Sequence, residues 1–293
     1  MITIKRDRGW EKPESWQDVE SIPGYVRDID PLSIQLDAVV GKYREPELRI
    51  CGFSNCHTKH FRGYLVTTKD GRITNIGVDC GRKHFGVDFE NMSRQLDRDW
   101  LNQERRESIF SALGKLDAWK SACDDLMNGK RGASWLSKQH REMQDFKTGL
   151  PRSILRSIQE MMRTGRTVLY KERAATEQEK AFAKETGQRM PNIVQEEVGT
   201  LKGLSGLAKM EELLPKDLIP NLDAIAEIDV DAATEGDLQF WSKWCGEVDV
   251  KVEQAKSIID SAQIFFHEDN ISKLAEISST KDEERSIMRF AKK

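Results

Sequence analysis

Cys51, Cys56 and Cys80 are three of the chain's five cysteines, and His57, His60 and His84 three of its five histidines, all falling in one short stretch of a 293-residue sequence. Thiolate sulfur and neutral imidazole nitrogen are the ligands that tetrahedral zinc takes, and in a reducing compartment such a cluster reads as metal binding before it reads as disulfides. Cys80 and His84, four apart, share a face wherever the chain is helical. Four ligands of this kind close a zinc site, whereas a catalytic zinc keeps an open position beside a general base. The chemistry expected is therefore structural. Cys123 and Cys245 stand alone in helical patterns and read as small buried hydrophobes.

The elements that must position these ligands are legible around them. Cys51-Gly-Phe-Ser-Asn-Cys56 is a tight turn bearing two thiols. Tyr64-Leu-Val-Thr-Thr and Arg72-Ile-Thr-Asn-Ile are β-branched alternating runs, joined through Asp70-Gly71, which supplies the positive φ of a hairpin turn. Cys80-Gly-Arg-Lys-His84 then falls where a helix can open.

In that order of knuckle, hairpin and helix start, residues 48 to 88 resemble the treble-clef zinc finger. The resemblance implies Zn2+ held by Cys51 and Cys56 from the knuckle and by Cys80 and His84 from the helix start. The knuckle departs from the family in having four residues between its cysteines instead of two, which leaves room for His60, or less readily His57, to replace one of them. Treble-clef-like folds also include the His-metal nucleases, and His57 or His60 with Asn75 and His84 can be forced into that mould. The cysteines are then unexplained, and no pair of carboxylates stands nearby to hold magnesium.

Before the finger, residues 1 to 47 carry Trp10, Trp16 and Tyr25 in a loop-like segment, followed by the alternating run Ile34 to Val40, which predicts a strand beside the hairpin with the tryptophans packed over it. After the finger the pattern turns helical over 88 to 128, then in shorter pieces near 133 to 146, 151 to 164, 174 to 186 and 200 to 214. The strongest periodicity is the run Leu238, Trp241, Cys245, Val248, Val252, Ala255, Ile259, Ala262, Phe266, alternately three and four apart. It predicts a helix of about thirty residues, opened by the capping box at Thr234, with a heptad seam that requires a partner helix from this chain or from a second copy. Gly246 within it costs about 1 kcal/mol relative to Ala, so compensating packing is expected there.

Composition bounds the function. The formal charge is -3 and the charged fraction 32%, and no run approaches the ~18 apolar residues of a membrane span. The opening residues have no apolar signal-peptide core, so a cytoplasmic setting is expected. Charge is segregated along the chain. Residues 129 to 173 hold eleven Lys and Arg against four acids, the finger window 41 to 85 nine against four, and residues 174 to 270 nine against twenty. Basic segments of this kind are the footprint of phosphate-backbone contact. The side chains expected to make it are Arg62, Arg72, Arg82 and Lys83 from the finger and Arg152, Arg156, Arg163 and Arg166 from the helical stretch. The acidic run from Glu211 to Asp237 can equally repel nucleic acid or face a basic protein.

The fold class expected is α+β, with a β-rich zinc module at 1–88, a helical region at 89–233 and a long heptad helix with short C-terminal helices at 234–293. No Walker loop, dinucleotide fingerprint or nucleophile elbow occurs, so the chain reads as non-enzymatic. Two functions compete. One is a zinc-binding protein that engages nucleic acid or a nucleoprotein assembly. The other is a protein-binding inhibitor or adaptor, of the kind phages use as accessory or counter-defence factors, whose helices form oligomer and partner interfaces.

Overall fold

The computed structural model describes residues 1–7, 9–187, 189, 191–209 and 213–293. The chain divides into two compact units, Met1–Glu107 and Ser108–Lys293.

The first unit is built on a five-stranded antiparallel sheet. Its strands are β1 (Ile2–Arg6), β2 (Gly9–Glu11), β3 (Leu36–Ile50), β4 (Lys59–Thr68) and β5 (Ile73–Ile76), in the order β2-β1-β3-β4-β5. The expected strand and hairpin are present, but β3 runs on to Ile50 and delivers Cys51 directly from its end. The N-terminal β1–β2 hairpin replaces part of the expected loop. Successive side chains on a strand point to opposite faces, and Leu65 and Val66 show the result. Leu65 joins Ile2, Ile4, Trp16, Val19 and Tyr43 in one core. Val66 joins Val39, Cys51, Phe53, Ile76, Phe89 and Leu96 in the other. One core is closed by the short helix α1 (Trp16–Glu20), whose Ser15 and Asp18 form a capping box. The other is closed by the long helix α2 (Val78–Leu113).

Helix α2 is broken at Gly86, whose φ of 57° and ψ of -133° only a residue without Cβ adopts readily. The turns before it carry Cys80 and His84. The stretch after it lays Phe89, Leu96 and Trp100 on the core at helical spacing. This is why the unit ends at Glu107 and not at 88, since the sheet has no second cover without that stretch.

The second unit holds, after the end of α2, the helices α3 (Leu116–Asn128), α4 (Ala133–Gln144), α5 (Arg152–Thr164), α6 (Glu177–Glu185), α7 (Leu204–Lys209), α8 (Ile219–Ala226), α9 (Glu235–Phe265), α10 (Glu268–Ile271) and α11 (Lys281–Ala291). A π-helical turn, Leu214–Leu218, leads into α8, and a 3-10 turn, Ser272–Ile277, follows α10. From Ile109 on, the region expected at 89–233 shares one core with residues 234–293, while its first part, with Phe89 and Leu96, packs on the sheet of the first unit. An antiparallel ribbon of β6 (Val168–Ala174) and β7 (Ile193–Thr200) occupies the gaps between the short helices predicted at 151 to 164, 174 to 186 and 200 to 214, where no element was expected.

Helix α9 has the predicted length and opens on the predicted capping box. Its seam residues Leu238, Cys245, Val248, Ala255, Ile259 and Ala262 are buried in this unit's own core, with Trp241, Val252 and Phe266 packed against it. The partner surface is therefore intrachain. Helix α7 supplies part of it at backbone distance, because a Cβ on Gly206 would stand 2.4 Å from the Ala262 nitrogen. Gly246 differs from expectation, since no atom beyond its own turns of helix lies within 4 Å of where its Cβ would be and no packing compensates for it. Among the described residues no helix is long and apolar enough to cross a membrane.

Candidate metal centre

Cys51, Cys56 and Cys80 converge. Their sulfur atoms all lie within 4.8 Å of one another, and those of Cys56 and Cys80 are 3.0 Å apart. A tetrahedral zinc with Zn–S bonds of about 2.3 Å sets thiolates about 3.8 Å apart, so a metal fits with shifts of under about 1 Å. Among the described residues no other group of His, Cys, Asp or Glu comes together this way.

Local backbone structure explains the convergence. Cys51 leaves β3 with its N–H bonded to the Thr58 carbonyl (2.9 Å), Gly52 donates to the Asn75 carbonyl (2.7 Å), and Cys56 closes the knuckle on the Phe53 carbonyl (3.1 Å). Phe53 is wholly buried beneath the turn. The β4–β5 hairpin returns the chain to Gly77, and Cys80 enters on the first turn of α2.

The three thiols perturb one another's ionisation. Burial pushes the Cys51 thiol up, and the neighbouring Cys56 adds to the rise. Cys80 is raised in the same way, by burial first and then by its two thiol neighbours. Burial also works against Cys56 ionising, but hydrogen bonds from Thr58 and Cys80 outweigh it and hold its pKa at about 7. One thiolate is thus accessible near neutrality, and each further one is opposed by like charge. A divalent cation, were one bound, would relieve that opposition and favour the thiolate form of all three.

The histidines are placed differently. His84 lies one turn after Cys80, with its ring edge-on to Phe53 at 5.2 Å. Neither His84 nor His60 falls within the group of mutually close ligand atoms. His60 bonds through Nδ1 to the Tyr43 hydroxyl (3.1 Å), while its Nε2 is buried without a partner. Both rings are held below the ordinary histidine pKa, by burial first, and for His84 also by the Lys83 charge. They are thus neutral at physiological pH, the form that ligates metal. His57 is exposed and stands 3.7 Å from Asp28. Asn75, which the nuclease mould would need, is fully engaged. It accepts from the Tyr25 hydroxyl and donates to the Tyr43 hydroxyl and the Ile50 carbonyl.

The basic side chains fall into the two units. In the first, Arg62 is exposed on β4, Arg82 and Lys83 are exposed on α2, and Arg72 follows the hairpin turn. Arg72 is bound to Asp70 at 2.5 Å, and Arg82 stands 3.4 Å from Glu90. In the second, Arg152, Arg156 and Arg163 are exposed along α5 and Arg166 just beyond it. Arg163 pairs with Glu160 at 2.7 Å, and Arg152 lies over the Phe146 ring. The acidic run is partly used inside its own unit, where Asp217 binds Lys251 and accepts from the Trp244 indole. Glu211 and Glu212, which open that run, lie outside the described residues.

Comparison with protein-family models, with curated proteins and with solved structures returned no match, which leaves the centre to be read from its own geometry.

Proposed function

We propose that this is a non-enzymatic zinc-binding protein whose metal is structural, and that its finger engages nucleic acid or a nucleoprotein assembly. The observation that supports it best is the convergence of Cys51, Cys56 and Cys80 from a knuckle and a helix start that are otherwise remote in sequence. His84 is the fourth ligand in this reading, reached by swinging its ring off Phe53 toward the sulfurs, with His60 as the substitute. Arg62 and Lys83, exposed in the same unit as the centre, carry the phosphate contacts, assisted by Arg72 and Arg82. On the second unit, Arg152, Arg156, Arg163 and Arg166 form a further basic surface.

The test is binding of labelled single- and double-stranded DNA and RNA by the metal-loaded chain across a salt series. The apparent affinity should fall steeply with salt, by roughly a decade or more between 50 and 200 mM for a few phosphate contacts. Paired charge reversal of Arg62 and Lys83 should flatten the slope. Binding that is absent or indifferent to salt ends this reading.

The pairing of Arg72 with Asp70 and of Arg163 with Glu160 favours a second reading, a protein-binding adaptor or inhibitor in which those arginines serve the fold. A stoichiometric protein complex that survives nuclease treatment, with no affinity for nucleic acid, distinguishes it.

A further inference from the structure

Phe146, in the second unit, is the most exposed aromatic side chain among the described residues, with 83% of its surface open to solvent. The turn that presents it, residues 145–149 between α4 and α5, is held on every side. The Asp145 carboxylate accepts from the backbone N–H groups of Lys147 (2.9 Å) and Thr148 (2.8 Å). Gly149 N–H returns to the Asp145 carbonyl (3.0 Å) and Leu150 N–H to the Met143 carbonyl (2.9 Å). From α11 the Ser286 hydroxyl donates to the Gly149 carbonyl (3.2 Å), and Lys293 Nζ donates to the Thr148 carbonyl (3.3 Å). A ring fixed in place before contact gives up little entropy when a partner covers it.

The surface around the ring is basic. The Arg152 guanidinium lies 5.4 Å from the centre of the ring, within cation–π range. Lys147 is the next residue in the chain, and Arg156 follows Arg152 on the same face of α5, about 6 Å along the axis. All three cations are exposed, and among the described residues none of them forms an ion pair. The neighbouring acids are engaged elsewhere. Asp145 serves its own turn, Glu142 stands 3.9 Å from Lys138, and Glu160 is paired with Arg163. Glu283 of α11 accepts from the Ser153 hydroxyl (2.6 Å) and the Ser279 N–H (2.8 Å).

We propose, on the basis of the nucleic-acid reading above, that Phe146 is a stacking platform for single-stranded nucleic acid, with Lys147, Arg152 and Arg156 on the phosphates of the same strand. Stacking on a side chain requires a base whose face is free, which a duplex does not offer and a single strand does. Every base has such a face, so recognition is tolerant of sequence. An exposed aromatic also suits a protein partner, but unpaired cations in a row beside it favour a polyanion. The row of cations on α5 ends at Glu160, which keeps the site to a few nucleotides.

The test measures binding of labelled oligo(dT) and oligo(rU), and of a duplex of the same length, to the metal-loaded full chain by fluorescence anisotropy. Single strands should bind at least about fivefold more tightly than the duplex. Phe146→Ala should weaken single-strand binding by roughly fivefold to a hundredfold, with the unfolding midpoint unchanged because the side chain is exposed. If the midpoint falls, Phe146→Leu, which keeps bulk and loses the ring, makes the same comparison. Phe146→Trp should keep the affinity and show a quench of emission at saturation beyond that of the parent, a signal of stacking that a structural role does not give. Arg156→Gln should lower the slope of log affinity against log salt by about 0.7. The proposal is overturned if loss of the ring leaves single-strand binding as tight as in the parent, if the duplex is preferred, or if the Phe146→Trp emission does not change. Salt-dependent binding of nucleic acid in any of these cases leaves the broader reading standing, whereas the absence of all such binding ends both. A protein complex lost in Phe146→Ala while nucleic-acid binding is intact would also overturn it, and assign the turn to a protein interface.

Discussion

The sulfur atoms of Cys56 and Cys80 lie 3.0 Å apart although 24 residues separate them, and nothing in their immediate sequence brings them together. The approach is made by the β4–β5 hairpin, which leaves the knuckle and returns to its side. Removing one of these sulfurs should therefore disable a site that the hairpin still assembles. Cys80→Ser is expected to lower bound zinc from one per chain to well below stoichiometric, measured by elemental analysis after gel filtration. Full retention of metal would contradict the ligand set.

His84→Ala separates the two candidates for the fourth ligand. If His84 completes the site, the variant should hold zinc at least about tenfold more weakly in competition with a chromophoric chelator, while His60→Ala leaves affinity unchanged. The reverse result assigns the position to His60.

Gly246→Ala is expected to raise stability by about 1 kcal/mol, because the position is exposed, helical and free of neighbours where a methyl would stand. Gly206→Ala should do the opposite. Its methyl would meet the α9 backbone at Ala262, and a loss of roughly 1 to 3 kcal/mol is expected from chemical denaturation.

Asp217 accepts from the Trp244 indole and the Asn221 amide and pairs with Lys251. Burial alone would raise its pKa, but these partners hold it below the ordinary carboxylate value of 3.8. A depressed carboxyl contributes stability that is present above the unfolded-state pKa and is lost as pH falls through the folded one. Asp217→Asn should thus cost about 1.5 to 3 kcal/mol at neutral pH, and the gap from the parent should narrow below about pH 4. A gap independent of pH would refute the assignment.

Much of this could be read from residue patterns, for physical reasons that also explain the failures. The β4–β5 hairpin was legible because Asp70-Gly71 sits between two alternating runs, and α9 because its apolar residues recur at helical spacing. The β6–β7 ribbon was not, because most of its residues are exposed and show no period-2 apolar face. The β1–β2 hairpin is short, and its second strand is only Gly9-Trp10-Glu11. At the centre, residue type and clustering were enough to find the three cysteines. The ring orientation of His84 depends on Phe53, 31 positions away, and could not be seen in the spacing. The Arg49–Trp16 pair is hidden for the same reason, being a contact between a strand end and a helix that no local pattern links.

The break at Gly86 lets two demands on one helix be met independently. The turns before it take their orientation from the knuckle, and the turns after it take theirs from the apolar face of the sheet. A straight helix would couple the two, so that any adjustment of Cys80 around an ion would drag Phe89 and Leu96 across their core. With the break, the turns that carry Cys80 and the stretch packed on the sheet need not share one axis, and a side chain at position 86 would have to bear the strain of that positive φ.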